Sequence, residues 1–212
     1  MFVYRHCATP HLEPRERARR MNRRRLILSA AGAGLAVSGL AGPASLGAAA
    51  ATDDELAYAN FGLAAEFLQK DLYAKTAAAK LFKGAAAKEV ERAGFNAGEH
   101  AVALSKLLAD AGQPGAVEED FEFAWPEGTF TSKKSALAVG VKVTQAVLGV
   151  YLAAAGAISI ASYRTLFASM AANVSQQVGA LSQLSGGRVV GISFPPALDV
   201  ETASNAIEAY LG

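Results

Sequence analysis

Thr52–Tyr73 reads TDDELAYANFGLAAEFLQKDLY, and its first four residues decide how the domain begins. Thr52 and Glu55 have the spacing of a capping box, in which the hydroxyl accepts from a first-turn N–H and the glutamate reaches back to the cap. The run beyond them reads as helix to about Phe82, where Lys80, Lys83 and Gly84 suit a C-terminal end. A second helix is predicted from Ala85 to Ala111, with Val90, Ala93, Ala97, Ala101, Leu104 and Leu108 on one face and Gly112 and Pro114 as its stop. Gln113–Ser132 lacks helical periodicity and is long enough to be a crossover or a functional loop. A third helix is expected from Ser132 to about Ser162, a fourth from Tyr163 to Ser185, and a short last one over Val200–Leu211 capped by Asp199. Two helices, a long crossing between helices 2 and 3, then two more define an all-α four-helix bundle with a short C-terminal helix.

Upstream of Thr52 the chemistry changes. Residues 1–51 carry eight arginines against Glu13 and Glu16, whereas residues 52–212 carry 12 Lys and Arg against 17 Asp and Glu. The mildly acidic body lacks the basic cluster that a phosphate backbone requires, so no nucleic acid partner is expected. The basic end reads NRRRLILSAAGAGLAVSGL, paired arginines before an apolar run, and small residues follow at 47–51. That order is the n-region, h-region and cleavage site of an export signal, and Asn22-Arg23-Arg24-Arg25-Leu26-Ile27 resembles the twin-arginine pattern. Residues 21–51 are thus read as a signal peptide that sends residues 52–212 to the periplasm, cell envelope or exterior. Residues 1–20 belong to neither part, which places the expected start at Met21. Cys7, the only cysteine, falls in that leading stretch, so no thiol chemistry is expected of residues 52–212.

Val143–Ser162 holds no charged residue over 20 positions. Its Ala, Gly, Thr and Gln content and the lack of flanking basic clusters favour a buried bundle helix or a homo-oligomer interface over a membrane span.

The helical domain resembles a known family, the exported bacterial ferritin-like domain proteins related to desiccation-associated proteins. Asn60-Phe61-Gly62-Leu63 followed by Glu66-Phe67-Leu68-Gln69-Lys70-Asp71-Leu72-Tyr73 is similar to that family's first helix. Asn96-Ala97-Gly98-Glu99-His100 is similar to its Asp-Glu-x-x-His motif, with the histidine in register. Phe121, Phe123 and Glu127–Phe130 of the crossing, and the tail from Phe194-Pro195 to Tyr210-Leu211, are similar as well. The resemblance implies a ferritin-like bundle in which Glu66 and His100 stand at metal-ligand positions.

The remaining ligand positions are vacant. A ferritin-like di-iron site takes one Glu from each of two helices and Glu-x-x-His from each of the others. Here the Glu before His100 is Ala97, the third-helix Glu falls on Thr144 or Gln145, and the fourth-helix motif falls near Ser175–Val178. No Asp, Glu or His occurs between Ser135 and Leu198, so no register of the third and fourth helices supplies a carboxylate or an imidazole. Gln145, Gln176 and Gln177 offer only neutral amides, which leave the charge of two irons uncompensated.

His100 shares a helical phase with Val90, Ala93, Ala97, Leu104 and Leu107 and is predicted to face inward, with Glu99 turned to solvent. The expectation is a Glu66–His100 hydrogen-bonded pair in a protein without resident cofactor or catalytic turnover, acting as a structural, binding or stress-protective protein. The alternative is a reduced metal site, iron or manganese, at Glu66 and His100, with Glu99 or Asp71 as a further ligand and an oxidoreductase or metal-binding role. A membrane-associated bundle that inserts its third helix is a third reading. Phe121, Phe123, Trp125 and Phe130 are expected to pack as a lid over the bundle end, with a binding surface anchored on Trp125 as the rival.

Overall fold

The computed structural model describes residues 51–113 and 115–212; residues 1–20 with Cys7, and the stretch read as an export signal up to residue 50, lie outside the described residues. Among the described residues there are five α-helices: α1 Asp53–Ala78, α2 Ala85–Asp110, α3 Lys133–Ala157, α4 Ala161–Leu184 and α5 Val200–Ile207. Among the described residues the only strand-like pairing is an isolated bridge between Phe123 and Leu211.

Three of the starts follow from a side-chain cap. The Thr52 hydroxyl accepts from the Glu55 N–H at 3.2 Å while Glu55 accepts from the Thr52 N–H at 2.9 Å, the reciprocal box expected from the sequence. Ser132 accepts from the Ser135 N–H at 3.1 Å to open α3, and Asp199 from the Thr202 N–H at 2.6 Å to open α5. Three ends fall earlier than expected. α1 stops at Ala78 rather than Phe82, because Lys80 takes a left-handed φ of 53°. α3 stops at Ala157, where Ile158 turns to extended backbone and buries its side chain. The last segment tightens after Ile207 into a 3-10 turn over Glu208–Tyr210.

α1 packs along α2, and α3 along α4, as two hairpins that meet through α1 and α3. α1 is covered on nearly every side, so Phe61, Leu63, Leu68 and Leu72 share one core with Leu104, Leu108, Val147 and Phe167. By length and composition α3 could cross a membrane, yet 61% of its most apolar stretch is buried inside the bundle, consistent with a core helix.

The crossing over 111–132 runs across this core. Phe121 stacks on Phe123 at 5.9 Å and meets Phe67 of α1 at 5.8 Å, and Trp125 lies 5.3 Å from Tyr210 and 5.8 Å from Phe130. The four aromatic side chains are half-buried against the main core, as a lid requires. The Trp125 indole donates to Asp71 Oδ2 at 2.6 Å, and the chain end joins the lid through Ala124 N–H to Tyr210 O and Gly212 N–H to Glu122 O.

Candidate functional site

Within this frame α1 buries two acids, Glu55 at its capped start and Glu66 deep in the core. Glu66 is fully buried, and its carboxylate is met by three side chains from three helices. Tyr151 of α3 donates its hydroxyl to Glu66 Oε1 at 2.5 Å, and His100 Nδ1 of α2 stands 3.0 Å from the same oxygen. Gln69, one turn along α1, donates from Nε2 to Oε2 at 3.1 Å. Both carboxylate oxygens are therefore engaged, which is what a buried acid needs in place of water. A second buried polar bond lies nearby, where the hydroxyls of Tyr73 and Thr144 are 3.0 Å apart.

The helices make room for this arrangement by choice of small residues. Gly62 stands one turn before Glu66, and a Cβ there would lie 3.1 Å from Tyr151 Cε1 and 3.1 Å from Leu104 Cδ1. The glycine allows the tyrosine ring to lie close against α1 and reach the acid. Phe167 of α4 backs the same ring at 5.6 Å. Burial, followed by the Glu66 charge and the bond to it, raises the Tyr151 phenol well above its usual value, so Tyr151 remains a neutral donor. Burial likewise raises Tyr73.

The structure brings Glu66 and His100 together and leaves the other sequence candidates elsewhere. Glu99 is exposed on α2, and Asp71 is held by Trp125 and by Lys75 at 2.6 Å, toward the lid. Ala97 is buried one turn before His100 and presents a methyl group to the core. Thr144 is spent on Tyr73, Gln145 is exposed, and Gln176 and Gln177 line a cleft of about 110 Å³ between α2 and α4. Among the described residues no three His, Cys, Asp or Glu side chains come close enough to share a metal ion. His100 is the more accessible of the pair, its side chain 13% exposed against 1% for Glu66.

Sequence reasoning does not pick out Gln69 and Tyr151 as partners of the acid. The Glu66-to-Gln69 spacing of three residues, which puts both on one helix face, is the available signal for the first. For Tyr151 none exists, since its reach depends on how α3 crosses α1 at Gly62.

Residues 54–187, well over half of the chain, match the family model of the ferritin-like domain. No match was found among curated proteins.

Proposed function

The chain belongs to the ferritin-like domain family, and from that premise we propose that it is a member whose interior is closed by side-chain hydrogen bonds instead of a di-iron centre. The observation that carries this reading is the occupied Glu66 carboxylate, with Tyr151 and His100 at one oxygen and Gln69 at the other. A di-iron pair needs several bridging and terminal carboxylates, and the surroundings of Glu66 offer that one carboxylate and one imidazole, with a phenol and an amide donor directed at the lone pairs a metal would use. The residues present do not fit two irons. On this reading the protein acts without turnover, as a structural, binding or stress-protective component of the envelope or exterior, reached by twin-arginine export. Self-association along α4 belongs to the same proposal, supported by its exposed Thr165, Ala168, Ser169, Ala172 and Ser175, with Arg164 the one charged residue of the helix.

A second reading keeps a single iron or manganese between Glu66 and His100. It draws support from the partial exposure of His100 and from Gln69 Oε1, a buried oxygen without a hydrogen-bond partner beside the acid.

Elemental analysis of the full chain, produced with iron and manganese supplementation, separates the two. The first reading expects far less than one metal per chain and no change in His100→Ala. Stoichiometric metal that His100→Ala abolishes would establish the second. Export is tested by Arg23→Lys with Arg24→Lys, which should retain the protein in the cytoplasm; undiminished export would point to the general secretory route.

A further inference from the structure

We infer that the segment between α4 and α5 is a docking loop for an anionic lipid surface. Of the seven bulky apolar side chains exposed among the described residues, Val189, Val190, Ile192 and Phe194 fall within six consecutive positions, and Phe194 is 91% exposed. Such clustering is unlike the scattered apolar residues of an ordinary surface and marks an interaction site.

The loop is anchored at both ends. The Val189 carbonyl oxygen packs so close to Gly179 of α4 that a Cβ there would lie 2.8 Å from it. Leu198 seats on Gly149 of α3, where a Cβ would come within 2.5 Å, and its N–H donates to the Gly149 carbonyl at 2.9 Å. Two glycines therefore form a cradle that holds the loop on the α3–α4 face while Val190, Ile192 and Phe194 stand outward. Val190 and Phe194 stand clear of the groove beneath, which has a volume of about 730 Å³, while Val189 and Ile192 rim it and remain more than half exposed.

Charge selects the occupant. Between Gly128 and Leu198 there is no Asp or Glu, while Lys133, Lys134, Lys142, Arg164 and Arg188 are all present. Lys142 and Arg188 line the groove under the loop. A second copy docked by the same face would bring Lys142 and Arg188 toward their counterparts, and no acid lines the groove to offset them. An anionic bilayer offers the opposite: headgroup charge for Lys142 and Arg188, and an acyl boundary for three apolar tips. The inference is independent of whether Glu66 holds a metal.

The test places a reporter between the tips. In the full chain with Cys7→Ser, Ser193→Cys carries an environment-sensitive fluorophore, and Val102→Cys, on exposed α2, carries the same label as control. Mixed phosphatidylglycerol and phosphatidylcholine vesicles should shift emission at 193 to the blue and leave 102 unchanged, with a weaker response to phosphatidylcholine alone. Ile192→Ser with Phe194→Ser should lower the partitioning read at 193 by at least about tenfold. Because the apolar stretch at 26–46 can adhere to vesicles by itself, the contrast between positions 193 and 102 carries the result. No shift at 193, an equal shift at both positions, or a shift produced without lipid by raising protein concentration would overturn the inference, the last in favour of a second copy.

Discussion

Tyr151→Phe removes one oxygen from the core and leaves the ring where Gly62 and Phe167 hold it. The cost then falls on Glu66 alone, which loses its 2.5 Å donor and keeps His100 and Gln69. A hydrogen bond to a charged group is worth about 1.5–3 kcal/mol, and no water can reach an acid this deeply buried to replace it. For a domain of this size that converts to a fall in melting temperature of about 3–12 °C. Tyr73→Phe is the internal control, since its bond to Thr144 is neutral and worth only about 0.5–1.5 kcal/mol. Urea and thermal unfolding of the full chain near neutral pH, followed by circular dichroism, should rank Tyr151→Phe below Tyr73→Phe, with m-values unchanged. The substitution also frees a lone pair on Glu66, so any change in metal uptake should be a rise over wild type. Equal losses in the two variants, or a Tyr151→Phe protein as stable as wild type, would refute the claim that the tyrosine satisfies the acid.

Further outcomes follow from other contacts. Glu55 is held at about 2, below its usual 4.5, by the Thr52 N–H first and then by the hydroxyl and N–H of Ser159. A depressed carboxyl contributes stability that is complete above 4.5 and is lost as pH falls through about 2, so acid unfolding in that window should flatten in Glu55→Gln, as read by circular dichroism against pH. Gly62→Ala gains about 1 kcal/mol of helix propensity, but the crowding against Tyr151 and Leu104 should cost about 1–3 kcal/mol, giving a net loss in denaturant titration. Trp125→Phe should destabilise by about 1–2 kcal/mol through the lost bond to Asp71. Because Trp125 is the only tryptophan, wild-type emission should report lid opening ahead of global unfolding if the crossing loosens first.

Helix starts are legible in the sequence where caps are local chemistry: Thr52 with Glu55, Ser132 and Asp199 act within four residues of themselves. Helix ends are less so. Lys80 ends α1 through a left-handed backbone that nothing in its side chain demands, and Ile158 ends α3 because its burial between helices outweighs helix continuation. Within the site, His100 is readable from its phase with Val90 and Leu104, and Glu66 from its place in the first helix. Tyr151 is 85 residues from the acid it serves. Its role follows from the crossing of two helices and from the absence of a side chain at Gly62, neither of which periodicity along a single helix can express.

The fit between Gly62 and Tyr151 also offers a way to sort relatives. If the phenol at 151 is what takes the place of a metal at the first-helix glutamate, a chain without that phenol is free to carry an ordinary side chain at the position one turn earlier. Position 62 and position 151 should therefore change together across related chains, glycine with tyrosine where the interior is plugged and larger with smaller where it is open. Two letters far apart in the sequence would then be enough to tell a plugged interior from an open one.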